Sequence, residues 1–383
     1  MSGCDERERI ARAALSAVVE PPAERVARLL LARGPEAVLD WLRAGAGDKI
    51  DKGQRLQRRL VGVDGADVLA AGAVSGARFL CPGDAEWPAA LDDARMAADH
   101  AERWAAPPVG LWVRGDADLA GVLARSVAVV GARAATEYGR RTAADFGAQL
   151  SSRGWTVVSG AAYGIDGYAH RGALAVGSPT VAILACGADG IYPRGHADLL
   201  ERILATGLIV SELPPGAFPS RPRFLARNRL IASMTRGTVV IEAAIRSGAL
   251  NTAKWAADLQ KPVAAVPGPV TSAMSAGCHK LVREEGAILV TDVAEVVDAI
   301  GDLGSDAAEP KRGADRPLDG LAPIARDVYE AMPARAVVTV DRICADTGLS
   351  VPACLAALGE LSSGGLVQRI DGGWRLASRR RTE

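Results

Sequence analysis

The sequence predicts an α/β chain: a mostly parallel, doubly wound sheet, with a helical module before it and a small helix-and-hairpin unit after it. Three observations carry this. Residues 126–292 alternate short apolar runs with helical segments, residues 1–77 show only helical spacing, and a polar, Gly- and Pro-bearing stretch near residues 301–320 precedes a last set of short amphipathic elements. At 383 residues, 49% of them hydrophobic and 23% charged, the chain suits two or three soluble globular domains.

In the N-terminal part, Ile10, Ala14, Leu15 and Val18, then Val26, Leu29 and Leu30, recur at helical spacing. Pro21-Pro22 breaks the first helix and Gly34-Pro35 ends the second, before a third through Val38, Leu39, Trp41 and Leu42. Short helices joined by Gly turns fit a helix-hairpin-helix or SAM-like module, which grips nucleic-acid backbone or docks on protein. Arg55, Arg58 and Arg59 do not choose between these, because charged runs are usually solvated faces. Residues 79–114 form a turn-rich connector that ends in the strand-like run Val109–Arg114.

The apolar strand runs of the central part are Val127–Val130, Val157–Ser159, Val181–Leu184, Leu208–Val210, Val239–Ile241, Val263–Val266 and Ile288–Val290. Helical segments such as Glu137–Ser152, Tyr168–Val176 and Thr252–Leu259 separate most of them. Continuous apolar strands between helices imply a sheet covered on both faces, hence a Rossmann-like domain with its ligand site beyond the strands' carboxyl ends. The residues there are of one kind. Gly131-Ala132-Arg133 follows the first strand, with Thr136 placed to cap the next helix; Ser159-Gly160 and then Gly164 follow the second. Cys186-Gly187, Ser211-Glu212, Glu242 with Ser247-Gly248, and Pro267-Gly268 follow later ones. Such a crest of Gly and Ser beside donors suits phosphate groups.

The stretch Arg227–Lys254 concentrates the signal. It reads as a short basic helix holding Arg227, Asn228 and Arg229, a turn at Gly237, a buried strand, and a loop at Ser247-Gly248 opening a new helix that Asn251 or Thr252 can cap. Free amides at that helix start, with Arg246 beside them, suit an anion. Neither the dinucleotide fingerprint G-x-G-x-x-G nor the P-loop G-x-x-x-x-G-K-[ST] occurs, which argues against NAD enzymes and P-loop ATPases. Asp166 and His170 lie four apart, a spacing that more often serves capping and packing than acid–base work. Glu242 offers a base for the alternative reading, a nucleotide or nucleoside-phosphate hydrolase.

Lys+Arg and Asp+Glu balance at 45 each, so any nucleic-acid surface must be a local patch. The charged start lacks a signal peptide's apolar core, no run approaches membrane-spanning length, and the six cysteines are scattered without a Cys-x-x-Cys pair. These point to a cytoplasmic protein without structural metal or cofactor.

At the C-terminus, Ile324–Met332 and Val340–Asp346 read as helices. A turn at Thr347–Ser350, a helix Val351–Ser362, and a hairpin through Asp371-Gly372-Gly373 complete a winged helix. Its recognition-position helix carries Glu360 as its sole charge up to Leu361, so it is expected to meet protein rather than base edges. The expected domains are 1–77 (helical), 78–304 (Rossmann-like), 305–318 (linker) and 319–383 (winged helix).

The motifs Ser159-Gly-Ala-Ala-Tyr-Gly-Ile-Asp-Gly-Tyr-Ala-His170, Ser211-Glu-Leu-Pro-Pro-Gly216, Arg227-Asn-Arg-Leu-Ile231, Ser247-Gly-Ala-Leu-Asn-Thr-Ala253 and Val266-Pro-Gly268 follow one another in order. Together the sequence resembles the DNA-processing protein A (DprA/Smf) family over about residues 79–292. The resemblance implies a non-catalytic cytoplasmic protein that binds single-stranded DNA without sequence preference. It further implies loading of RecA recombinase onto incoming DNA during natural transformation, and a homodimer formed through the Rossmann-like domain. By motif, the DNA contacts it implies are Gly131, Arg133, Ser159, Gly160, Gly164, Arg227, Asn228, Arg229, Ser247, Gly248 and Lys254. Tyr163 stands where many members carry Arg, and Gly277-Cys278-His279 replaces a common Gly-Thr-Asn.

Overall fold

The computed structural model describes residues 3–45, 55–96, 106–302, 306 and 320–377. Most of the expected linker over 305–318 lies outside them. The chain divides into two compact units, Met1–Ala308 and Glu309–Glu383.

Among the described residues, the first unit opens with five helices: α1 (Glu6–Val18), α2 (Glu24–Arg33), α3 (Pro35–Arg43), α4 (Arg55–Leu60) and α5 (Gly65–Val74). Asp5 and Asp64 cap α1 and α5 by accepting from the amides of Glu8 and Ala66, satisfying donors that a helix start leaves free. Leu15, Val38, Leu39, Leu42 and Leu60 close a core of their own, so the helical spacing read in the sequence is the packing face.

The sheet has nine strands: β1 (Ala77–Leu80), then, after α6 (Ala89–Met96), β2 (Leu111–Arg114) and, after α7 (Leu119–Leu123), β3 (Ser126–Val130). There follow α8 (Glu137–Ser152), β4 (Thr156–Ser159), α9 (Ile165–Ala175), β5 (Thr180–Ile183), α10 (Ala197–Thr206), β6 (Leu208–Ser211), α11 (Arg221–Ser233) and β7 (Thr238–Val240). The unit ends with α12 (Ala249–Asp258), β8 (Val263–Ala265), α13 (Ala276–Glu284), β9 (Ile288–Leu289) and α14 (Val293–Ile300). The order across the sheet is β1-β2-β6-β5-β4-β3-β7-β8-β9. All seven apolar runs read as strands are strands, and they pair in parallel. The connector adds two more, β1 and β2, which extend the sheet antiparallel beside β6.

Alternation along β3 shows why both faces are covered. Val127 and Val129 pack with α8, α9 and α14, whereas Ala128 and Val130 pack with α11, α12 and α13. The chain moves from β3 outward through β4, β5 and β6, then returns to lay β7 on the other side of β3. The strand order therefore reverses between β3 and β7, the place where open α/β sheets leave a crevice.

The second unit holds α15 (Pro323–Glu330), α16 (Val340–Thr347), α17 (Val351–Ser363) and the hairpin β10 (Val367–Ile370)–β11 (Gly373–Leu376). Gly348 ends α16 in the left-handed conformation at φ 72°. Leu358, Leu361, Ile343 and Val328 fill a small separate core. This is a winged helix. Val351 and Leu355 stand exposed on α17.

Candidate nucleic-acid interface

A cavity of about 700 Å³ opens at the β3/β7 reversal. Its walls come from the turn after β3 (Gly131, Arg133), the loop after β7 (Arg246, Ser247, Gly248) and one side of α11 (Arg221, Phe224, Arg227, Asn228). Six of the residues singled out by sequence thus meet here, from segments more than a hundred residues apart: Gly131, Arg133, Arg227, Asn228, Ser247 and Gly248.

Local chemistry fixes the walls. Ser247 Oγ accepts from the amide of Ala249 at 3.3 Å, so the start of α12 is tied by Ser247 with Gly248 at the cap position. Asn251 and Thr252, expected as caps, lie inside the helix instead, because the helix begins earlier than its apolar spacing indicates. Asn228 Nδ2 donates to the Gly248 carbonyl at 3.3 Å, joining α11 to this loop.

Arg227 is only 7% exposed and its guanidinium is largely spent inside. Nη1 donates to the carbonyls of Gly160 at 2.7 Å and Ile183 at 2.6 Å, spanning the ends of β4 and β5. A Cβ at residue 160 would overlap that guanidinium, which explains the glycine. From the other side Asp166 accepts from the amides of Gly160 at 3.2 Å and Ala162 at 3.4 Å. Burial pushes the Asp166 carboxyl up from its ordinary value, and Arg227 draws it back down. Burial likewise lowers Arg227, countered by Asp166. The turn after β4 is thus clamped by opposite charges. Gly164, at φ 77°, packs against the carbonyls of Ala132 and Arg133, so the β3 and β4 turns touch.

Arg229 goes elsewhere. It is 1% exposed and donates to both carboxylate oxygens of the partly buried Glu212, away from the cavity lining. Ser159 is also internal, its Oγ donating to the Val129 carbonyl at 2.6 Å. Lys254 lies exposed on α12, beyond the residues that line the cavity.

A second hollow of about 570 Å³ adjoins through Arg133, which lines both. Here the sequence reading missed two cations: Arg140 from α8 and Arg171 from α9 stand with Tyr163, Gly164 and Tyr168. A signal existed, since both follow the first two crest turns by one or two helical turns and Arg171 lies three residues after Tyr168, on the same face. Guanidinium groups lie over aromatic rings along the whole strip: Arg133 over Phe224 at 4.9 Å, Arg171 over Tyr168 at 5.4 Å and Arg140 over Tyr168 at 5.9 Å. Tyr163, 49% exposed, meets His196 edge-on at 4.8 Å between ring centres. Among the described residues, Arg133, Arg140, Arg171, Arg221 and Arg246 have no carboxylate partner.

The residues weighed for catalysis are committed to structure. Glu242 is buried and accepts from the Thr136 amide at 2.9 Å and hydroxyl at 2.6 Å, holding the start of α8. His170 is fully buried with Nδ1 2.8 Å from the Thr180 hydroxyl, and burial lowers its pKa to about 3, so it is neutral. Asp166 and His170 serve turn and packing, as their spacing indicated. Among the described residues no group of three or more His, Cys, Asp or Glu is placed to hold a metal. No helix among them is long and apolar enough to cross a membrane.

Residues 78–301 match the family model described as DNA recombination-mediator protein A, and residues 312–373 match the DprA winged helix domain. The chain is 46% identical over 367 residues to a Mycobacterium tuberculosis (strain H37Rv) chain named as a DNA processing protein DprA, covering 94% of this chain and 92% of that relative. It is 36% identical to the protein Smf of Escherichia coli K12 over 272 residues, 70% of this chain and 71% of the relative. Among solved structures, the DNA processing protein A of Streptococcus pneumoniae aligns with a TM-score of 0.64 at 28% identity, over 79% of this chain and all of that one.

Proposed function

The chain belongs to the DNA recombination-mediator protein A (DprA/Smf) family, and on that premise we propose that it binds single-stranded DNA without sequence preference along the crest of its sheet. One observation carries this reading: five arginines without a carboxylate partner among the described residues stand with Phe224, Tyr163 and Tyr168 around two joined hollows at the strand-order reversal. Cations track phosphates whatever the sequence, and aromatic faces accept any base, so the strip fits a flexible single strand. Arg133, Arg140, Arg171, Arg221 and Arg246 take the phosphates, with the open Ser247-Gly248 backbone allowing close approach and Gly131 and Gly164 letting the crest turns pack together behind them. Arg227, Asn228, Ser159 and Gly160 shape the site from behind, Arg229 holds α11, and Lys254 contributes outlying charge.

The same reading includes delivery of the strand to RecA recombinase, a homodimer through the sheet-bearing domain and a cytoplasmic location. The family's general role supports these. We assign residues 1–77, 78–304 and 319–383 as its functional domains, joined by a linker at 305–318.

The deciding experiment titrates fluorescent single-stranded and duplex oligonucleotides with the intact protein across a salt series. Log K should fall with log salt by roughly 0.7 per phosphate neutralised, with single strands preferred. Equal binding of duplex, or binding insensitive to salt, defeats the proposal.

A further inference from the structure

The helical module carries a cationic face that the crest does not account for. Arg55, Arg58 and Arg59 sit at i, i+3 and i+4 on α4, all exposed, while Leu60 turns into the module's core. Arg55 and Arg58 have no carboxylate partner among the described residues. Arg55 and Arg59 line a cavity of about 470 Å³ together with the apolar Val19, Pro22, Val26 and Leu56 and the carboxylates Glu20 and Glu24. Apolar side chains beside exposed guanidinium groups suit a nucleotide, its base against the former and its phosphate at the latter, with Glu20 already neutralised by Arg59 and Arg223.

This face joins the crest through a single carboxylate. Glu20 accepts from Arg223 on α11, at 3.0 Å and 2.7 Å, and from Arg59 at 3.3 Å. Those two guanidinium groups, Arg223 first, hold the Glu20 carboxyl below its usual range, so it is ionised and neutralised in place. Arg223 lies between Arg221 and Phe224, both of which line the crest cavity. Cations therefore run from Arg246 and Arg221, past Arg223, to Arg59, Arg58 and Arg55.

We propose that α4 and the cavity beside it hold a further segment of the same single strand, so that the N-terminal module lengthens the binding site. This rests on the crest reading above and extends it to a second surface. A short strand fills the crest alone, and a long one reaches both.

The test compares the unaltered chain with Arg55→Gln/Arg58→Gln, two residues without ion-pair partners among the described residues, on oligonucleotides of about 6 and about 30 nucleotides. The variant should bind the short strand as the unaltered chain does. On the long strand it should bind roughly fivefold more weakly, with a salt slope shallower by about 1.4. Arg55→Glu/Arg58→Glu should widen the gap between lengths. Equal loss on both lengths overturns the proposal, because the effect would then act through the crest, and so does no loss on either. Failure of the unaltered chain to bind the short strand defeats the crest reading, whereas a length-independent variant defeats only the extension.

Discussion

Arg229 and Arg133 belong to motifs of equal weight in the sequence, yet they occupy opposite electrostatic worlds. Arg229 is enclosed with Glu212, where each ion's lost hydration must be met by the other. Arg133 lies exposed on the rim, over the Phe224 ring and, among the described residues, without a carboxylate. A buried pair cannot exchange its partner for a passing phosphate without stranding a charge; a rim arginine can. Arg227 stands between them, buried but facing the cavity. The difference teaches that a basic motif marks a site in two ways: some of its cations hold the fold that others decorate.

The strongest test of that division is Arg229→Ala. It leaves the partly buried Glu212 without its cation and empties the space of a fully buried side chain, and should lower unfolding stability by about 3 kcal/mol in denaturant melts. Adding Glu212→Ala should recover part of the loss. If Arg229→Ala keeps full stability and loses DNA, the two classes of arginine are wrongly drawn.

Acid should act next on the interior class. His170 is neutral in the fold, with a pKa of about 3, and near 6.5 when unfolded. Because its folded value is depressed, its contribution is complete above pH 6.5 and is lost as pH falls below it. Stability should drop by roughly 2 kcal/mol between pH 6.5 and pH 5 from this group alone. His170→Gln should flatten that part of the pH profile, measured by melts at constant ionic strength.

The rim class should show the reverse pattern. Arg133→Ala/Arg246→Ala should leave the melt within about 0.5 kcal/mol of the unaltered chain. Affinity for single strands should fall about tenfold, with a salt slope shallower by roughly 1.4. A lowered melt with an unchanged slope would move these two into the interior class. The smallest effect is expected at Tyr163→Phe, which keeps the ring and removes the hydroxyl. Binding should stay within about twofold, and a larger loss would show that the hydroxyl, not the face, touches the strand.

Much of this was legible in the chain itself. The parallel strands announce themselves as largely apolar runs because β3 to β8 are almost wholly buried, whereas β9, at the sheet edge, is apolar though exposed. Ser, Gly and Arg at their ends mark the crest for the same reason, since little else there tolerates polarity. Of the antiparallel pair, β2 was legible as the strand-like run Val109–Arg114, whereas β1 was obscured by the turn-rich connector that follows it and by its place at the sheet edge. The start of α12 was misplaced because Ser247 caps it from outside the apolar repeat.

Sequence by itself determined the class of fold, the order of its parts and the level of the sheet at which a ligand would sit. Those depend on periodicity and turn chemistry, which act between residues a few positions apart. Tertiary structure alone decided which arginines are free. Arg229 is spent because Glu212, seventeen residues earlier, ends the neighbouring strand, and Arg140 and Arg171 join the crest because α8 and α9 pack side by side. Charge pairing is settled by distance in space and by burial, and neither is written along the chain.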